Sequence, residues 1–236
     1  MAIAKARTHS DQLIVESLDF LRRIFSVSAA MFYWIEPDLD TVNGPALDLP
    51  PGLADRYRTE MRHHDPLLAS RLVDTGQMIA ELSREARHVP EASWRDYITF
   101  LDAYRVVDNL DFVFWMGDRN CRRAFAGASL LRMADDPPFP DDREKLETLH
   151  HYVGFNIQGH ERIRRERQHH VLRHQMGLTE REYSICELIA VGATNRDIAD
   201  CLGLTQATVK TYIRAIFDKA GVETRTALAA RIATLA

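Results

Sequence analysis

Cysteine is scarce: three in 236 residues, Cys121, Cys186 and Cys201, with no CxxC spacing. An odd set without ligand spacing excludes a disulfide framework and a zinc finger. Two of the three fall among apolar neighbours on helix-like segments, as buried reduced thiols do. Long hydrophobic runs are missing too. Nothing approaches the roughly 18 consecutive apolar residues of a membrane-spanning helix. The opening "MAIAKARTHSDQ" turns polar before it could supply a signal-peptide core, which points to the cytoplasm. There is no GxxxxGK phosphate loop, no nucleophile–base pair, no internal repeat and no low-complexity tract. An ATP switch and a recognisable enzyme site are therefore unsupported, and no cofactor is implied. An early acidic pair after a strand and a βα alternation are also missing, which excludes a phosphorylation receiver.

What is present suits a folded two-domain chain. It is 46% hydrophobic and 27% charged, with a net charge of −4. Leu13, Ile14, Leu18, Leu21 and Ile24 recur at helical spacing, so 11–26 reads as an amphipathic helix. "AAMFYWI" (29–35) reads as a buried strand, and Pro and Gly punctuate "NGPALDLPPG" as loop. Helices are expected over 53–63 and 66–74, a short strand in "QMIAEL", and a helix in "PEASWRDYITFLDAY" with Pro90 near its start. Strands 110–116 and 122–133 flank Gly117-Asp118-Arg119-Asn120, a hairpin turn by composition. From Asp142 a helix carries Leu146, Leu149, Val153 and Ile157 on one face, a candidate dimer element or a packing face. This is an α+β layout with an antiparallel sheet covered by helices over 1–157. The polar stretch 158–176 reads as a helical linker, and 177–236 as an all-α module of four short helices.

That module is heavily punctuated. Thr179 with Glu182, and Thr194 with Asp197, have capping-box spacing, and Thr205 and Thr224 are good N-caps. Gly192, Gly203 and Gly221 mark helix ends. Ala199, Gly203 and Val209 fit the close crossing of a helix-turn-helix. Gln206, Ala207, Lys210, Thr211 and Arg214 then face outward, and no acid occurs from 205 to 217. A cationic face there suits phosphate and major-groove contacts, and the acidic total does not oppose it.

Residues 177–232 resemble the DNA-binding domain of the LuxR family of bacterial transcription factors. The likeness rests on Leu178-Thr179, Arg181-Glu182, Gly192, Asn195, Ile198-Ala199, Leu202-Gly203, Thr208-Val209-Lys210, Ile216, Lys219, Gly221-Val222 and Arg225. Ala220 and Tyr212 depart from the family's usual Leu and His. The resemblance implies a homodimer on double-stranded DNA, with Thr194, Asn195, Arg196, Thr205, Gln206, Thr208, Lys210, Thr211, Arg214, Lys219 and Arg225 as contact candidates.

The first domain resembles the sensing half of quorum-sensing LuxR-type receptors and, more loosely, PAS- and GAF-like folds. In those receptors an Asp-Pro supplies the carboxylate that accepts a hydrogen bond from the amide of an acyl-homoserine lactone. Asp65-Pro66 matches it. The accompanying Trp and Tyr positions fall on Gly52 and Arg56, with Tyr57 one residue away and within reach of a small loop shift. Asp65 is equally readable as an N-cap followed by Pro at the first helical position. Trp34, Tyr57, Asp65, Phe100, Tyr104, Phe112 and Phe114 are the candidate lining of a pocket for a small apolar effector, although aromatics more often form core. Alternating Ala124, Ala126 and Ala128 would leave room in it. His170 and His174 are one turn apart, but no third ligand accompanies them, so no metal site is expected. An effector-independent regulator, whose first domain only dimerises or binds a protein, is the alternative.

Overall fold

A computed structural model describes residues 9–117 and 122–235. The chain divides into two compact units, 1–160 and 161–236. The expected turn residues Asp118, Arg119 and Asn120, and Cys121, lie outside the described residues.

The first unit runs α1 (His9–Phe25), β1 (Ala29–Ile35), β2 (Thr41–Leu47), α2 (Leu53–Arg56), α3 (Ala69–Thr75), β3 (Ile79–Glu81), α4 (Leu82–Glu85), α5 (Glu91–Asp102), β4 (Val106–Met116), β5 (Arg123–Met133) and α6 (Arg143–Ile157). The strands form one antiparallel sheet in the order β2-β1-β5-β4-β3. Its two faces hold different chemistry, and the pairing register shows why. Phe32, Ala128 and Phe112 lie abreast, as do Trp34, Ala126 and Phe114. This face packs under α1 and α6. On the other face Tyr33, Gly127 and Val113 lie abreast, as do Met31, Ser129 and Asp111, beneath α2, α3, α5 and the turns around them.

Two corrections concern this sheet. The segment 43–52, expected as loop, begins with part of β2. Pro45 is tolerated because β2 is an edge strand and because the register shifts between Met31 and Tyr33, which places Gly44 and Pro45 opposite Phe32 as a bulge. Ala126 and Ala128 do not open a ligand pocket. They lie between rows of aromatic rings on the α1/α6 face and make space for Phe32, Phe112 and Phe114. A register shift between Phe114 and Trp115 returns Ala124 to the opposite face.

Helix α6 starts where expected, with Asp142 accepting a hydrogen bond from the Lys145 N–H at 3.0 Å. Leu149, Val153 and Ile157 are buried within the first unit. That face is thus a packing face and is not free for a dimer. Tyr152 and Phe155 lie on the outward side, 53% and 70% exposed.

The second unit contains α7 (Glu161–His170), a π turn at Val171–Gln175, α8 (Glu180–Ala190), α9 (Asn195–Leu202), α10 (Gln206–Ala220) and α11 (Arg225–Leu235). Most of the stretch expected as linker is therefore helix or π turn, and its Leu172 is buried in the same cluster as Ile185, Ile198, Val209, Ile216 and Leu228. Cys186 is buried there, its thiol pushed up to about 12 by burial. Cys201 is exposed, contrary to the expectation that it is buried. No helix among the described residues is long and apolar enough to cross a membrane.

Candidate functional site

Both capping boxes form. The Thr179 hydroxyl accepts from the Glu182 N–H while Glu182 accepts from the Thr179 N–H, and Thr194 and Asp197 repeat the arrangement. Helix α9 ends at Gly203, whose φ of 63° lies in the left-handed region that a Cβ disfavours. The chain then turns, and Thr205 caps α10 by accepting from the Thr208 N–H at 3.1 Å. Ala199 and Val209 are buried where α9 meets α10. This helix-turn-helix leaves Gln206, Lys210, Thr211 and Arg214 exposed on α10, and Thr194 and Arg196 exposed at the start of α9. Among the described residues, neither Lys210 nor Arg214 has an acidic partner, whereas Arg196 lies 3.9 Å from Asp200.

The remaining DNA candidates are engaged within the unit. Lys219 Nζ donates to Glu182 at 2.6 Å and to the Gly177 carbonyl at 3.1 Å. Burial alone would raise Glu182, but donation from Lys219 and Thr179 outweighs it and holds the carboxyl below its ordinary value. Arg225 donates to the Ala193 carbonyl and to Asn195 Oδ1. Thr205 and Thr208 share a hydroxyl contact of 2.8 Å. Lys219 and Arg225 thus brace the helices.

In the first unit, the sheet face carrying Tyr33 and Asp111 encloses a cavity of about 60 Å³. Tyr33 reaches across Gly127, where an added Cβ would fall 2.2 Å from the Tyr33 ring. Its hydroxyl donates to Asp111 at 2.9 Å, and the Ser129 hydroxyl donates to the other Asp111 oxygen. Opposite, Tyr57 donates to Asp65 at 2.7 Å, and Tyr97 also hydrogen-bonds Asp65. Burial, with the charge of Asp65 adding to it, pushes Asp111 up to about 7 against the hydrogen bonds from Ser129 and Tyr33. Burial raises Asp65 as well, against the donation from Tyr57 and the Leu67 N–H. The Tyr33, Tyr57 and Tyr97 hydroxyls lie well above their ordinary value, through burial and the neighbouring carboxylates.

Asp65 is not a helix cap. Its Oδ1 accepts from the Leu67 N–H at 2.8 Å in a local turn, and α3 begins only at Ala69. Tyr57, one residue off the expected spacing, is nonetheless brought onto Asp65. The segment Tyr57–Met61 is a π turn, which takes up more residues per turn than an α-helix and shifts the side-chain phase.

Of the candidate lining, Tyr57, Asp65 and Phe100 do line the cavity. Tyr104 stacks edge-on against Phe100 at 5.4 Å but is not part of the lining. Trp34, Phe112 and Phe114 are corrections. They point to the other sheet face, where Trp34 packs against Phe32 and His160, and Phe112 and Phe114 stack on His150. Tyr33 lines the cavity and is not among the sequence candidates. Tyr97, Asn109, Asp111 and Ser129 were missed altogether. A lone acid inside the apolar run "LDFVFWM" was the available signal, since a carboxylate in a central strand needs a partner or a role. Among the described residues, no group of three or more His, Cys, Asp or Glu side chains is placed to hold a metal ion.

Comparison with known proteins fits this geometry. Residues 176–232 match the sequence model of the family described as "GerE: Bacterial regulatory proteins, luxR family". The second unit carries a LuxR-family helix-turn-helix domain, and the relatives that the chain matches are transcription regulators. It is similar to the monoamine regulon transcriptional regulator of Klebsiella aerogenes, 26% identical over 231 residues, 98% of this chain and 94% of that protein. The DNA-binding transcriptional activator DevR/DosR of Mycobacterium tuberculosis is 42% identical over 50 residues, 21% of this chain and 23% of that protein. Among solved structures, Escherichia coli SdiA aligns over 97% of this chain and 92% of its own, at 16% identity and a TM-score of 0.48. The VqsR LBD domain from Pseudomonas aeruginosa aligns over 67% and 90%, at 16% identity and a TM-score of 0.48.

Proposed function

We propose that this regulator binds DNA as a homodimer through α9 and α10, and that a small molecule in the first unit's cavity controls that binding. The exposed face of α10, free of acids from Gln206 to Phe217, carries the DNA part of the reading, with Lys210 and Arg214 one turn apart. A single module of this size covers little DNA, which favours two copies on a two-fold site. The enclosed cavity carries the effector part. Its polar groups converge on one end, beside apolar walls that include Phe100 and Leu131. An acyl-homoserine lactone has Asp65 and Tyr57 in its favour, but the expected Trp is replaced by Gly52. The name of the Klebsiella aerogenes relative is a reason to include amines among the effectors tried.

A second reading keeps the DNA function without an effector. The small volume of the cavity and the mutual hydrogen bonds of its carboxylates and hydroxyls favour it. Genome-wide footprinting of the purified protein, with and without cell extract, separates the two. Extract-dependent footprints support effector control, and identical footprints support the second reading. Sedimentation of the protein with and without operator DNA tests the dimer.

A further inference from the structure

The buried end of the cavity consists almost entirely of hydrogen-bond acceptors. Each hydroxyl there has committed its single hydrogen: Tyr33 and Ser129 to Asp111, Tyr57 and Tyr97 to Asp65. A hydroxyl so committed can only accept a further bond. Asn109 lines the same space and hydrogen-bonds Asp111, yet its Oδ1 is buried without a partner in a residue 9% exposed. Among the described residues, no lysine, arginine or histidine lines the cavity. Arg62 and Arg71 influence Tyr57 and Asp65 only through space. Two buried carboxylates and an unpartnered carbonyl therefore face a space whose remaining need is for donors and positive charge.

Resting on the effector reading above, we propose that the cavity takes the cationic head of a small organic amine, held between Asp65 and Asp111. An ammonium brings three N–H donors and the charge that the lining lacks. Tyr97 and Phe100 line the same space with ring centroids 6.0 Å apart; Arg56 already lies over the Phe100 ring at 5.6 Å, which leaves Tyr97 as the added ring for a cation. The volume of about 60 Å³ suits a head group and its first carbons, since a single water needs roughly 10–15 Å³ of such space. A lactone or ester carbonyl would meet no free donor among the committed hydroxyls of the buried end; the donors of Thr41 and Asn43 belong to the less buried part of the lining. The raised carboxyl of Asp111, near 7, must lose any proton it holds when an ammonium enters. Amine affinity therefore rises between about pH 6 and pH 8.

The test uses the full chain and three probes: 2-phenylethylamine, its isostere 2-phenylethanol, and N-butanoyl-homoserine lactone. Calorimetric titration and thermal melts are read at neutral pH, with DNA binding as a check on folding. The expected result is amine binding at least about tenfold tighter than either neutral probe, lost by about tenfold or more in Asp111→Asn and in Asp65→Asn. Phe32→Leu, a core substitution on the opposite face of the sheet, should retain amine binding within about threefold. This variant guards against reading a folding defect as a binding defect. Equal or tighter binding of the alcohol or the lactone overturns the amine assignment and leaves effector control standing. Amine binding that ignores both Asp substitutions also overturns it. No binding of any probe, with footprints unchanged by cell extract, overturns the amine assignment and effector control together.

Discussion

Asp111 is a carboxyl held away from water, 3% exposed on a central strand. Its folded value near 7 lies above the ordinary 3.8, so the folded state binds more protons than the unfolded one across that interval. Its contribution to stability is fully present below the ordinary value and is lost as pH rises through about 7. His150 works the other way: burial lowers it despite its hydrogen bond to the Val113 carbonyl, so it favours higher pH. The difference between wild type and Asp111→Asn isolates the carboxyl. Melting curves from pH 5 to 7.5 should show wild type losing stability relative to the variant as pH rises, and a constant difference would refute the raised value. Gly127→Ala drives a Cβ into the Tyr33 ring, displacing it from Asp111. Overpacking of this kind costs about 1–3 kcal/mol, to be read in denaturant unfolding. Asp65 was visible in the sequence because Asp-Pro is a recognisable pair. Asp111 and Ser129 were not, because their meeting depends on the pairing register of β4 with β5, which composition does not encode.

At the scale of elements, local chemistry was the most readable layer. Both capping boxes, the glycine helix ends and the packed face of α6 follow from short-range spacing, and the structure reproduces them. What could not be read were changes of phase. The bulge in β2, the register shift before Trp115 and the π turn at Tyr57 each move side chains by one position. That one position decided which aromatics face the cavity and which face α6, because strand side chains alternate with a period of two. Glu182 joins two elements, as the third residue of the α8 capping box and as the partner of Lys219 on α10. Glu182→Ala should cost about 1–2 kcal/mol by combining a lost cap acceptor with the loss of the ion pair to the partly exposed Lys219. Because its folded carboxyl lies below the ordinary 4.5, that stabilisation is present above this value and lost on acidification. Chemical denaturation at pH 7 and at pH 3 should show a large difference between variant and wild type at the first and a small one at the second. An equal difference at both would contradict the pair.

For the whole molecule, the sequence points to two parts because the second is dense in punctuation and the first is rich in strand-forming residues. The division between compact units after His160 places Glu161–His170 with the helical unit, a point that charge and polarity alone did not reveal. The exposed face of α10 is the surface proposed to read DNA. A footprinted operator fragment, titrated by fluorescence anisotropy at graded salt, tests it directly with Lys210→Ala beside wild type. Loss of one phosphate contact should weaken binding to every sequence and lower the slope of log affinity against log salt by about 1. Affinity and slope unchanged by Lys210→Ala, and again by Arg214→Ala, would contradict the assignment of α10 as the DNA-reading helix.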